Sequence, residues 1–251
     1  MAISFYGCQH LTPIYSPGGQ PPGRAASLGR AVGQQIRAYR TGLPLLAPLG
    51  GVKVKDMPLN YRIWGMQYAR QEAQVLTSYP AIADLFQSDG VDGRLLILGE
   101  PGMGKTHTLL AVAEILWQRA SRNSGPIPVL VNLAAWAGEA LEPWLTAYLW
   151  EEYRVCQATA TTWLQTAQLT LLLDEFDALS SDRQRQFTKG LDILLRSNAN
   201  QTAILCCRRQ VLEAGGITFS YFNSGVHILP LAAQQVKTYV LAKLRCSLAP
   251  H

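Results

Sequence analysis

Arg94–Leu110 reads RLLILGEPGMGKTHTLL. An apolar run, Leu95–Leu98, enters a turn holding Gly99, Gly102 and Gly104, and a helical pattern opens at Lys105. The turn matches G-x-x-x-x-G-K-[ST] through Gly99, Gly104, Lys105 and Thr106. Glycines let such a loop curl so that its N–H groups converge on an anion. The helix that follows adds the positive end of its dipole. Lys105 would reach the outer phosphates of a nucleotide as a point charge, and the Thr106 hydroxyl would ligate Mg²⁺. A buried strand before the loop and a helix after it form the context that separates a phosphate loop from a chance glycine-rich turn. The residues assigned to nucleotide binding are Gly99, Glu100, Pro101, Gly102, Met103, Gly104, Lys105, Thr106 and His107. His107 points about 100° away from Thr106 on the helix, so surface exposure or packing competes with a binding role.

Working outward, apolar strands alternate with helices. The strands are expected at RLLILGE, Ile127–Leu133 (IPVLVNL), LTLLL, TAILCC and GVHILP. Helices are expected over Lys105 to about Ser121, Leu141–Arg154, Ala158–Ala167, Ser181–Ser197 and Ala232–Arg245, with Ser181 and Asp182 as candidate caps. Continuous apolar strands of this kind belong to a parallel sheet covered on both faces. The fold class is therefore α/β, and ligands are expected at the carboxyl ends of the strands.

Leu169–Leu179 reads LTLLLDEFDAL, a buried strand ending in three acids. Asp174 is the candidate Mg²⁺ ligand, because Mg²⁺ takes oxygen donors and keeps several waters. Hydrolysis would also need a carboxylate to align water against the terminal phosphate. Glu175 and Asp177 compete for that role. The next strand end carries CCRR, where Arg208 is the candidate sensor of the terminal phosphate. Lys105, Glu175, Asp177 and Arg208 form the candidate catalytic set, with Thr106 and Asp174 as the metal pair.

The 251 residues are 48% hydrophobic, enough for a large core. No apolar run approaches the roughly 18–20 residues of a membrane span, and the start has no secretory pattern. The five cysteines form no CxxC pair, Cys206 and Cys207 in their apolar run read as buried free thiols, and together these point to a reducing cytoplasm. The net charge of +5 resides in residues 1–60, where six basic residues face only Asp56. Such an arm could touch nucleic acid or an acidic partner, but its charges are sparse. Residues 1–60 are read as a basic, Pro/Gly-containing extension with a helix over Ser27–Arg40. Residues 61–93 are read as a helical lead-in, with helices over Tyr61–Leu76 and Ala81–Gln87. Trp136, Trp144, Trp150 and Trp163 are assigned to core packing.

The segments LLILGEPGMGKTHTLL, IPVLVNLAAWA, LEPWLTAYLWEEY, LLLDEFDAL, ILCCRR and ILPLAAQQVKTYV occur in an order similar to NACHT-domain NTPases. The resemblance is to bacterial and cyanobacterial members, signal-transduction ATPases with numerous domains, within the AAA+-like P-loop class. It implies a three-layer P-loop NTPase with a parallel sheet of the additional-strand type, order 5-1-4-3-2. It places the NTPase core at 94–231 and the start of a helical lid at 232–251. It also implies ATP with Mg²⁺ in preference to GTP, and a switch that sets the position of neighbouring domains. Asp177 matches the second acid of the family's D-G-x-D-E pattern. Glu175 stands where the family has a small residue, and Ala178 where it has the final acid.

These readings lead to a cytoplasmic switch that binds Mg-ATP, hydrolyses it slowly and couples ATP or ADP to a protein partner or to self-association. The alternative is an interaction module that binds nucleotide without turnover, lacking the lid and winged helix of the full switch.

Overall fold

The computed structural model describes residues 33–34, 61–65, 75–76, 78–123, 125–222, 224–229 and 233. In chain order the elements are β1 (Tyr61–Gly65), β2 (Val75–Leu76), α1 (Tyr79–Phe86), β3 (Arg94–Leu98) and α2 (Lys105–Asn123). Next come β4 (Ile127–Asn132), α3 (Leu141–Tyr153), α4 (Gln157–Gln165), β5 (Leu169–Asp174) and α5 (Ser181–Ser197). The last are β6 (Thr202–Cys207), α6 (Arg209–Gly215) and β7 (Ser224–Ile228), with short 3₁₀ turns at Leu133–Ala135 and Phe176–Ala178.

The seven strands among the described residues join one sheet in the order β2-β1-β7-β3-β6-β5-β4. The five from β7 to β4 are mutually parallel. Counted from the strand before the glycine loop, their order is 5-1-4-3-2, as the family resemblance implied. Every residue of β3 and the first five of β5 are buried. Both faces of the sheet centre are therefore covered by flanking helices. Each fully buried leucine in these strands contributes roughly 1.5–3 kcal/mol.

Several local expectations change. The helix over Tyr61–Leu76 is replaced at 61–65 and 75–76 by strands β1 and β2. β1 runs antiparallel to β7 along its whole length and extends the sheet. Five residues with Tyr61, Ile63 and Trp64 as the apolar ones are too few to separate a helical from a strand period, and only the tertiary pairing decides. The helix over 27–40 lies outside the described residues apart from 33–34, as does that over 232–245 apart from Ala233. Helix α5 is capped by Ser180, whose side chain accepts the Arg183 N–H, one residue before the expected cap. Trp136 is buried edge-on against Phe187, but Trp150 is 47% exposed. The buried stripe of α3 runs through Leu145, Leu149 and Tyr153, and Trp150 lies beyond it.

Two polar arrangements hold the sheet ends. Arg94 is buried at the start of β3 and turns its guanidinium toward the end of α5. Nη2 donates to the carbonyls of Leu195 (3.2 Å), Asn198 (3.3 Å) and Ala199 (2.7 Å), and Nε to Gln201 (3.2 Å). It thus serves Leu195 O, one of the carbonyls that a helix C-terminus leaves open, and ties down the turn that leads from α5 to β6. At the other side, β4 is the edge strand, and the tyrosine hydroxyls of α3 meet its free backbone groups. Tyr148 accepts the Asn132 N–H at 3.1 Å, and Tyr153 serves Leu130.

Candidate functional site

The loop after β3 is built on backbone conformations that need glycine. Gly102 and Gly104 have φ of +78° and +88°, in the left-handed region. A Cβ on Gly99 would lie 3.3 Å from Ile228 Cβ and 3.5 Å from Lys105 Cγ, so the loop passes close to β7 and to its own lysine. Met103 N–H bonds to Glu100 O at 3.2 Å, and Thr108 N–H to Gly104 O at 2.8 Å, which starts α2. Glu100 is half-buried, Pro101 and Gly102 are exposed, and Met103 leans on the core. The Lys105 side chain folds back over this loop, and Nζ donates to Gly99 O at 3.0 Å. His107 turns away from it and packs its ring edge-on against Tyr79, with centroids 5.7 Å apart.

β6 separates β5 from β3, pairing with each. The carboxyl ends of the three strands nevertheless lie together. Asp174 ends β5, where its carboxylate accepts a hydrogen bond from the Thr106 side chain and another from the Glu175 N–H. Burial pushes the Asp174 carboxyl above the ordinary range, against the pull of these bonds and of Lys105. Glu175 is mostly exposed and sits at φ +62°, ψ +28°. Partial desolvation, then the charges of Asp174 and Asp177, raise its carboxyl as well.

Asp177, in the short turn after Glu175, has the most contacts of the three acids. Its Oδ1 accepts the Arg208 N–H at 2.9 Å, and its Oδ2 accepts Arg208 Nε at 3.1 Å. The same Oδ2 lies 3.5 Å from Lys105 Nζ. Beneath them, Cys206 and Cys207 are buried free thiols, and burial raises both. Cys8 and Cys246 lie outside the described residues.

Among the described residues, no group of three or more His, Cys, Asp or Glu could hold a metal ion. The oxygen donors at the loop are Thr106 and Asp174. This pair fits Mg²⁺ only if phosphate and water supply its other ligands, as Mg²⁺ commonly requires.

The structure thus brings Lys105, Thr106, Asp174, Asp177 and Arg208 together, with Glu175 at the rim and His107 turned aside. The link through Asp177 between Lys105 and Arg208 had no signal in the sequence, because the three residues come from three separate elements.

No helix among the described residues is long and apolar enough to cross a membrane. No curated protein matches the chain. A family model, the NACHT domain, matches residues 94–245, more than half of the chain. That span contains the loop, the acidic strand end and the five parallel strands, and the chain belongs to the NACHT-domain family, the nucleotide-binding P-loop NTPases.

Proposed function

We propose that this chain is a switch that binds Mg-ATP at Gly99–Thr106, hydrolyses it slowly, and uses the state of the nucleotide to set its affinity for a protein partner or a second copy. The observation that carries this reading is the gathering of Lys105, Thr106, Asp174 and Arg208 at one glycine loop. Lys105 and the loop N–H groups would offset phosphate charge. Thr106 and Asp174 would hold Mg²⁺, which when bound neutralises charge on the phosphates. Arg208 would sense the terminal phosphate. Glu175 is the better candidate for orienting water, since the oxygens of Asp177 already face cations and N–H groups. The buried thiols Cys206 and Cys207 suit a reducing cytoplasm.

A second reading, a module that binds nucleotide without turnover, gains from the exposure of Glu175. A water-aligning carboxylate acts best where bulk water is excluded.

Calorimetric titration of ATP, ADP and GTP with Mg²⁺, paired with a phosphate-release assay, tests both. ATP and ADP are expected to bind, and Lys105→Ala to abolish binding. Release that Lys105→Ala removes supports turnover, whereas binding without release supports the second reading. Failure of all three nucleotides to bind overturns both.

A further inference from the structure

We propose that Asp177 lets this site distinguish a nucleoside triphosphate from a diphosphate, by holding Arg208 in the pose that takes the added phosphate. The inference rests on the nucleotide reading above and assigns Asp177 a positioning role within it.

The hold has two points. Oδ1 takes the Arg208 main-chain N–H, which fixes where the residue leaves β6, and Oδ2 takes Nε, which fixes the side chain. A guanidinium carries five N–H donors, and Nε uses one of them. Neither terminal nitrogen of Arg208 has a hydrogen bond among the described residues. The anchor is buried and the anchored group reaches outward: the Asp177 side chain is 11% exposed and that of Arg208 39%. Such a hold removes much of the rotamer freedom that an arginine otherwise loses on meeting a ligand.

The second observation is the position of Lys105. Its ammonium lies 3.5 Å from the oxygen that holds Arg208 Nε. Two cations therefore flank one carboxylate oxygen, one from the glycine loop and one from the end of β6. A phosphate held by Lys105 has Arg208 as its neighbour, and a longer phosphate chain meets both. A diphosphate lacks the group that Arg208 would take. Discrimination then resides in Arg208, and the pose of Arg208 depends on Asp177. Both oxygens of Asp177 already face N–H groups or cations, which separates this role from the orientation of water.

The test is calorimetric titration of ADP and of the β,γ-imido analogue of ATP, each with Mg²⁺, into the full chain. Wild type is expected to prefer the triphosphate analogue. Asp177→Asn puts an amide NH₂ where Nε needs an acceptor, and should cut that preference by about tenfold, the worth of one charge-assisted hydrogen bond. ADP affinity should change much less. Arg208→Gln should cut the preference similarly, and the double variant no further than either single one, because the two act as one unit. An unchanged preference in Asp177→Asn, or additive losses in the double variant, overturns the proposal. If Asp177→Asn does not fold, Arg208→Lys serves: it keeps the charge but cannot be held at Nε and bind outward together. An undiminished preference in that variant is equally fatal. Wild type that binds both ligands equally ends the proposal and leaves the nucleotide reading intact. Wild type that binds neither ends both.

Discussion

The phenol oxygen of Tyr153 accepts the Leu130 N–H at 2.8 Å and donates to the Leu130 carbonyl at 2.9 Å. One hydroxyl on α3 thus replaces a whole residue of a neighbouring strand at the edge of the sheet. Exposed edges of this kind template pairing with other chains, and covering them is one way proteins avoid it. Tyr153→Phe keeps the ring and leaves both backbone groups buried without a partner. Denaturant unfolding should show a loss of about 1–3 kcal/mol, and the variant should aggregate sooner on heating. Unchanged stability would mean that water reaches this edge.

Asp174 gives a test in pH. Its carboxyl is raised above its ordinary value of 3.8 by burial. The folded chain therefore retains a proton over a window just above that value, where the unfolded chain has already lost it. Stability from this group is full below the window and falls as pH rises through it. Asp174→Asn should make the fall shallower in melts from about pH 4 to 7, and should be the more stable protein at neutral pH without ligand. The same variant should lose the part of nucleotide stabilisation that depends on Mg²⁺.

Glu175 occupies a left-handed backbone conformation at φ +62°. This conformation costs a side-chain-bearing residue about 1–2 kcal/mol. Glycine avoids the cost but loses roughly 0.5–1 kcal/mol in unfolded-state entropy. Glu175→Gly should thus raise stability slightly, by about 0.5–1 kcal/mol, and reduce phosphate release if Glu175 orients water. Glu175→Gln, which keeps the strained backbone, should reduce release without that backbone gain. Thermal melts beside the release assay separate the two effects.

Arg94 joins β3 to the end of α5 through four carbonyls. A lysine carries the same charge but lacks the planar fork that reaches them together. Arg94→Lys should cost about 1–3 kcal/mol in denaturant unfolding, with little change in nucleotide affinity. A loss below the error of the measurement would mean that the carbonyls find other donors.

What the sequence disclosed follows from how local the signals are. The loop at Gly99–Thr106, the strand ending in Asp174 and the buried strands carry their patterns within a few residues, and the family resemblance supplied their order in the sheet. Tyr61–Gly65 was misread because a short half-apolar segment takes its conformation from its partner, β7, far along the chain. The roles of Arg94 and Tyr153 were hidden for the same reason: both are polar groups that serve backbone atoms of distant elements. Glu175 was visible as a departure from the family pattern. Its left-handed backbone gives that departure a physical meaning, because the small residue usual there suits the conformation better.

The ladder between β1 and β7 has a consequence for how the molecule is assembled. The first described strand in the chain pairs with the last, and β7 inserts between β1 and β3. The outer hairpin of β1 and β2 therefore has no place to dock until β7 has arrived beside β3. Such distant pairing is slow, since loop closure precedes any reward. During synthesis, the β1–β2 pair would remain undocked, with the β1 edge that later meets β7 open, while most of the domain is still being made, a period in which a chaperone or a second nascent chain could capture it.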